Sequence, residues 1–372
     1  MSIATYLDYN ATAPLRPEAA AAIGRALEVC GNPSSVHRFG RQARRLIEEA
    51  REDVAALVGA RPSQVVFTSG GTEANDLALN GTGRARVLVS AVEHDSIRQA
   101  RAGAMLLPVD GDGLVDLGAL EELLGADPAP ALVSVMLANN ETGVLQPLGR
   151  VVEIAHGAGA LVHTDAVQAP GRVKVDFRGL GVDLMSVSAH KLGGPQGVGA
   201  LIVADGVELT RRLGGGGQER GRRAGTENLA GIAGFAAAGT AAAAELAGIE
   251  RVASLRDGLE SRALRAVPEA RIYGKAAPRL PNTSCIGVAG AAAETLVIAL
   301  DLAGVAVSAG AACSSGKVRA SHVLGAMGVA ADEAGSAIRV SLGWRSLALD
   351  IERFIEAWGA FHARNRTKLA AA

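Results

Sequence analysis

The chain has 372 residues, 49% of them hydrophobic, 20% charged and 3% aromatic, with 47 Gly and 13 Pro. That apolar fraction excludes a disordered chain and is enough for one large or two medium domains with a buried core. The net charge is −1, from 37 Lys+Arg against 38 Asp+Glu, and no long basic block offers the patch that binding nucleic acid through its phosphates requires. Three cysteines, Cys30, Cys285 and Cys313, form no Cys-x-x-Cys pair, which speaks against a disulfide framework and an all-cysteine zinc site. The first residues show no charged segment followed by an apolar one, so no signal peptide is expected and the cytoplasm is the expected compartment.

In chain order, residues 41–58 place Ala43, Leu46, Ile47, Ala50, Val54 and Leu57 on one helical face. Short β-branched runs follow at 64–67, 86–89, 131–137, 160–163 and 183–187, with helical patterns at 116–124 and 148–156 between them. Apolar strands alternating with helices predict an α/β domain with a mostly parallel sheet, whose ligands gather at the carboxyl ends of the strands. The Gly/Ala-rich stretch 229–244 is shorter than the ~20 residues of a membrane span and reads as a close-packed internal helix. Beyond about residue 247 the pattern becomes α+β. A helix at 249–267 precedes short strands at 271–273, 283–288 and 337–341. A final helix at 350–365 aligns Ile351, Phe354, Ile355, Trp358 and Phe361. The expected division is a large domain over 14–247 and a smaller one built from 1–13 and 248–372.

Six polar clusters sit where strands end. Thr68-Ser69-Gly70-Gly71-Thr72 opens a helix, and glycines at a helix N-terminus suit an anion, although such a turn is often only a turn. His94 and the pair Asn139-Asn140 follow the next strands; each alone is as readily structural as functional. His163-Thr164-Asp165-Ala166-Val167-Gln168 and Ser188-Ala189-His190-Lys191 change the balance, because they place a carboxylate and a lysine on adjacent strand ends. A salt bridge is the plain reading. A lysine in an apolar, glycine-flanked setting also suits Schiff-base chemistry, with the carboxylate holding a pyridinium nitrogen. The sixth cluster, Ser308 to Gly316, is a run of small residues around Cys313 and is expected to be a flexible loop carrying an exposed thiol. Cys30 and Cys285 read as packing residues.

Taken together with Tyr6-Leu7-Asp8-Tyr9-Asn10-Ala11-Thr12, Gly31-Asn32-Pro33-Ser34-Ser35-Val36-His37, Arg223-Ala224-Gly225-Thr226-Glu227-Asn228 and Ile338-Arg339-Val340-Ser341-Leu342-Gly343, these motifs run nearly end to end in one order. The chain resembles the cysteine desulfurases, pyridoxal-phosphate (PLP) enzymes of the class V aminotransferase-like group. The resemblance implies a PLP-dependent transferase fold of type I, an α/β large domain with a smaller α+β domain, and a homodimer. It further implies conversion of L-cysteine to L-alanine through a PLP aldimine, with the sulfur taken as a persulfide on Cys313. A sulfur-acceptor or iron–sulfur scaffold protein would receive it, for iron–sulfur cluster or thio-cofactor assembly. By the same resemblance Lys191 forms the Schiff base, Asp165 pairs with the ring nitrogen, Gln168 with the ring oxygen, and His94 stacks on the ring as the acid–base group. Gly71, Thr72, Ser188 and His190 hold the phosphate with Thr226 of the other subunit. Asn140, which also borders the cofactor, and Arg339 face the substrate carboxylate. No resident metal is implied; Cys313 could transiently ligate an iron–sulfur cluster.

Two departures bear on the acceptor. Family members read close to Ser-Leu-Glu-Pro-Ser where this chain has Lys317-Val318-Arg319-Ala320-Ser321, and the segment after Gly343 looks shorter than in housekeeping members. The alternatives are a selenocysteine lyase or other class V aminotransferase-like enzyme, and a non-catalytic sulfur carrier on the same fold. A transaminase has no need of Cys313, the lyase-type branch carries its cysteine in a different context, and a carrier would be expected to lose Lys191 or Asp165.

Overall fold

The computed structural model of the chain describes residues 5–310 and 320–370. Its strands in chain order are β1 (Thr5–Tyr6), β2 (Val65–Thr68), β3 (Arg86–Ser90), β4 (Met105–Leu107), β5 (Ala131–Ser134), β6 (Leu161–Asp165), β7 (Leu184–Ser188), β8 (Gly199–Val203), β9 (Arg271–Ile272), β10 (Thr283–Gly287), β11 (Val305–Ala306), β12 (Ser308–Ala309) and β13 (Ala337–Ser341). Seven of them form the main sheet in the order β2-β8-β7-β6-β5-β3-β4. β7, β6, β5, β3 and β4 run parallel, and β8 is antiparallel to both of its neighbours. Helices cover both faces, so β5, β7 and β8 are buried at every position, which explains their unbroken apolar runs. Because β2 shares the direction of β7, the carboxyl ends of β2, β3, β5, β6 and β7 lie on one edge. Each carries one of the polar clusters.

The polar residues inside the sheet pair with one another. His163, fully buried on β6, lies 2.9 Å from Ser134 Oγ through Nδ1 and 3.0 Å from Ser186 Oγ through Nε2. This Ser–His–Ser rung crosses three strands. Burial drives the imidazole pKa down to about 3, so the ring is neutral, with one nitrogen donating and the other accepting.

The helix Leu229–Glu245 lies against Pro17–Leu27 and Arg38–Leu57. Small residues permit this close approach: a Cβ at Gly234 would stand 2.7 Å from Ile23 Cγ1, and one at Gly239 would stand 3.0 Å from Leu57 Cδ2. A second core gathers Leu7, Leu259, Leu296, Ile338, Phe354 and Trp358 around the sheet β12-β13-β10-β9. β1 pairs with β11, so the N-terminal strand joins this second unit although the first sheet follows it in sequence.

Several details differ from the pattern-based expectation. The first amphipathic helix begins at Arg38, because His37 Nδ1 accepts the Gly40 amide and caps it. The run at 131–137 leaves regular strand after Ser134, yet Val135 and Leu137 still donate to the His163 and Asp165 carbonyls of β6. Ser308 and Ala309 are not loop but strand β12, paired with Arg339 and Ile338. Cys30 is exposed rather than a packing residue, because it lies just beyond the helix Pro17–Leu27, at the solvent-facing turn that Gly31 opens.

One buried ion pair fixes the border of the main sheet. Arg51 reaches Glu219 through two bonds of 2.7 and 2.9 Å, and Glu219 also accepts the Phe67 amide of β2 at 2.9 Å. Glu219 and Arg220 both adopt positive φ, 46° and 58°, a conformation that costs non-glycine residues energy. The bidentate pair therefore holds a strained segment on the sheet. Glu219→Ala removes the buried partner of Arg51, leaving it only the partly exposed Glu48 at 3.2 Å, and should lower unfolding free energy by about 3 kcal/mol, read as a shift of the urea midpoint.

His163 supplies a second test. The folded state keeps the ring neutral down to about pH 3, whereas the unfolded ring protonates near 6.5. Stability should therefore fall as pH drops below about 6.5, with a slope approaching 1.4 kcal/mol per pH unit from this residue. Urea titrations of His163→Gln across pH 4–7 should lack that component; an unchanged slope would contradict the assignment.

Candidate active site

Lys191 follows β7 in the single turn Ala189–Lys191. Its Nζ donates to the carbonyls of Asn10 at 2.7 Å and Ala11 at 2.9 Å. No carboxylate pairs with it among the described residues. Burial, aided by the positive charges of Arg339 and Arg172, brings its pKa down to about 8, against the opposing pull of Asp165 and Asp8. A substantial fraction is then neutral amine near physiological pH, the form that adds to an aldehyde.

Asp165 ends β6 and is buried. Its Oδ2 accepts from Asn75 Nδ2 at 2.8 Å and its Oδ1 accepts the Val167 amide at 2.9 Å. Asn75 Nδ2 also lies 2.9 Å from Ser96 Oγ, which is 2.8 Å from His94 Nδ1. One amide group thus ties the His94 turn to the Asp165 carboxylate. His94 is exposed and caps the short helix Asp95–Arg98 by accepting the Ser96 amide. Gln168 Nε2 donates to the Asn10 carbonyl at 3.1 Å, the same oxygen that Lys191 uses, while Arg172 donates to its Oε1. Arg172 also reaches the Tyr9 and Lys191 carbonyls, each at 3.2 Å.

The anion cradle lies at the start of the helix Gly71–Gly81, whose first turn leaves backbone N–H groups without intrahelical partners. A Cβ at Gly71 would stand 2.9 Å from Val167 Cγ2 and 3.7 Å from Ser188 Cβ. The backbone here therefore comes within contact of the Asp165 loop and the end of β7. His190 Nδ1 is 3.1 Å from Thr12 Oγ1; burial and the adjacent Lys191 and Arg172 bring its pKa to about 4. Thr226 is exposed and lines a different hollow with Thr68, Ser69, Gly197 and Arg223.

Arg339, on β13, donates to Asp8 Oδ1 at 2.9 Å and to the Asn140 carbonyl at 3.1 Å; its Nε is buried without a partner. Beside it, burial pushes the Glu141 carboxyl up to about 7 and raises the Cys285 thiol far above its usual range. Cys285 is therefore inert at neutral pH. Cys313 lies outside the described residues.

The structure thus gathers Lys191, Gln168, Asp165, His94, Gly71, Thr72, Ser188 and His190 along one sheet edge, with Arg339 and Asn140 meeting beside Asn10. Asn10, Asn75 and Arg172 were missed as site residues. Asn10 and Asn75 lay within the motifs; Arg172 left only the signal of a charged residue in an apolar run. A cavity of about 320 Å³ also touches Lys191, but Tyr9, Arg16, Arg172, Arg251 and Trp344 line it rather than His94 or Asp165. It is a crevice on a separate wall.

The class-V aminotransferase family model matches residues 5–354. The chain belongs to that family, whose members are PLP enzymes. Within it the relatives are cysteine desulfurases: one from Cereibacter sphaeroides is 46% identical over 94% of each chain. An IscS-like cysteine desulfurase from Mycobacterium tuberculosis is 40% identical, covering 99% of this chain and 98% of that one. Among solved structures, a NifS-like protein from Rickettsia africae superposes with a TM-score of 0.89 at 37% identity, over 97% of this chain and 99% of that one.

The donor set fits PLP. A half-buried amine held by carbonyls suits the aldehyde, a buried carboxylate with no cationic partner among the described residues suits a protonated ring nitrogen, and the glycine-opened helix suits the phosphate. The lowered Lys191 pKa has a measurable consequence. In apoprotein mixed with PLP and trapped with borohydride, labelling of Lys191 should rise with pH around a midpoint near 8. A midpoint near the ordinary lysine value would refute the assignment.

Proposed function

We propose that this cysteine desulfurase carries the sulfur of L-cysteine on Cys313 and hands it to an acceptor protein. The observation that supports this best is the Lys191–Asn10–Gln168 cluster beside the Asp165–Asn75–Ser96–His94 chain. The first can form an imine, the second can hold a ring cation, and both lie on one edge. PLP, when bound, supplies the electron sink that makes the substrate Cα–H acidic. Lys191 would hold the cofactor's aldehyde carbon and would then take that proton at Nζ. Asp165 would hold the ring nitrogen protonated, Gln168 would face the ring oxygen, and His94 would cover the ring. The first turn at Gly71 and Thr72, with Ser188 and His190, would hold the phosphate.

Arg339 binds the substrate carboxylate beside Asn140; its unpartnered Nε gives it a donor to spare. The Cys313 thiolate attacks the substrate sulfur, so an S–S bond forms as the carbon–sulfur bond breaks. The bonding pair stays with the carbon, which takes a proton and leaves as alanine. Cys285 is a buried thiol and Cys30 an exposed one outside the strand-end clusters; the resemblance of the Ser308 to Gly316 motif to that of the family supports Cys313 as the carrier.

The working form is a homodimer in the cytoplasm. Val36 and Phe39, 87% and 56% exposed, follow the Asn32-Pro33-Ser34 turn and would be covered by a second subunit, which would also bring its own Thr226 to the phosphate. The persulfide serves iron–sulfur cluster or thio-cofactor assembly. Cys313→Ser should still change the visible spectrum of the bound cofactor on addition of L-cysteine, yet yield no alanine and no persulfide by mass spectrometry. Cys30→Ser should turn over as wild type. Full alanine production by Cys313→Ser, or persulfide on Cys30, would defeat the proposal.

A further inference from the structure

Both ends of the segment that contains Cys313 converge on one buried carboxylate. Glu141, 3% exposed, follows Asn140. Its Oε2 accepts from Ser321 Oγ at 2.5 Å, and Ser321, also 3% exposed, caps the helix His322–Ala326 by accepting the Leu324 amide. On the other side, a Cβ at Gly310 would stand 3.0 Å from the same Oε2 and 3.5 Å from Ser321 Cβ. Gly310 is held there by its amide bond to the Ala337 carbonyl at 3.2 Å. The next residue, His322, is joined through Nε2 to the Glu93 carbonyl at 2.9 Å, directly before His94.

These contacts link the two roots of one segment to two motifs of the reaction centre. The Glu141 amide bonds to Asn139 Oδ1, and the Asn140 carbonyl accepts from Arg339. A short O–H···O bond to a carboxylate is among the stronger side-chain contacts. A buried carboxylate needs such a partner to offset its lost hydration. With the roots held, only ten residues separate 310 from 321, so the position of the roots limits where the thiol can go.

We infer that Glu141, acting through Ser321, is a positioning residue for sulfur transfer, setting the register of the Cys313 segment against the substrate-carboxylate site. It touches neither substrate nor cofactor in this role; it fixes the base from which the nucleophile reaches the substrate sulfur. The inference rests on Cys313 being the carrier. Productive attack depends on ångström-scale placement of the two sulfurs, so loosening the base should slow that step while binding is preserved.

The test uses the full-length holoenzyme with Ser321→Ala, Ser321→Thr and Glu141→Gln. Cofactor content, the spectral change with L-cysteine and KM should remain within about twofold of wild type. Single-turnover persulfide formation and kcat should fall at least about tenfold in Ser321→Ala and Glu141→Gln, and recover in Ser321→Thr, which keeps the hydroxyl. Ser321→Ala keeps the test alive should Glu141→Gln fail to fold. Unchanged kcat in Ser321→Ala overturns the inference. So does a parallel loss of cofactor affinity, KM and kcat, which would mark ordinary structural damage. Alanine production by Cys313→Ser would instead remove the carrier on which the inference rests, and is read separately.

Discussion

Every polar atom of Asn10 is committed, and the rest of the site depends on that residue. Its carbonyl accepts from Lys191 and Gln168, its amide donates to Ser341 Oγ, its Nδ2 reaches Thr283 Oγ1 and the Asn140 carbonyl, and its Oδ1 accepts from Asn282. It is 1% exposed. An unsatisfied polar group in such a place would cost of the order of 1–3 kcal/mol, so the bonds define one arrangement. Through this residue the lysine of the main sheet, the amide behind the ring site and the strands β10 and β13 share a single reference point.

That arrangement also explains the electrostatics. Burial lowers the pKa of Lys191, the nearby guanidiniums of Arg339 and Arg172 repel its proton, and its bonds go to neutral carbonyls, with no salt bridge among the described residues to restore it. Arg172 is itself buried, and its pKa is lowered to about 9 by burial and by Arg339. Asp165, by contrast, is held by an amide and a backbone N–H, which orient the carboxylate without neutralising it. Lys191 and Asp165 are thus kept apart within one cleft, while Arg339 takes Asp8 as its ion partner. Simple pairing, the plain reading of an Asp and a Lys on adjacent strands, does not occur.

Much of this was legible in the chain. The alternation of apolar runs and helices located the main sheet, and the strand-end clusters located the edge where the candidate residues gather, because polar residues inside a doubly buried strand must satisfy one another, as His163 does with Ser134 and Ser186, whereas those at its ends can face a ligand. The antiparallel pairing of β8 was not legible, since local pattern carries no strand direction. The exposure of Cys30 was not legible, because the residue lies between Val29 and Gly31 with no periodic pattern to show which way its turn faces. Strand β12 escaped notice because Ser308 and Ala309 have no strand propensity of their own; pairing with Arg339 and Ile338 makes them a strand. The convergence on Glu141 was hidden for a different reason: Gly310, Ser321 and Glu141 are up to 180 residues apart, joined only by the fold.

The crossing of the N-terminal segment into the C-terminal unit sets an order of assembly. β1 lies beside β11, and Tyr9 and Asn10 are bonded to Ser341. A nascent chain that has exposed the whole seven-stranded sheet still lacks the residues that seat Asn10, and therefore lacks the carbonyl that aims Lys191. The first tenth of the polypeptide must wait for nearly the last tenth, a closure of very long contact order. The coenzyme can consequently be captured in its proper geometry only by an essentially finished molecule, which makes colour a late marker of biosynthesis.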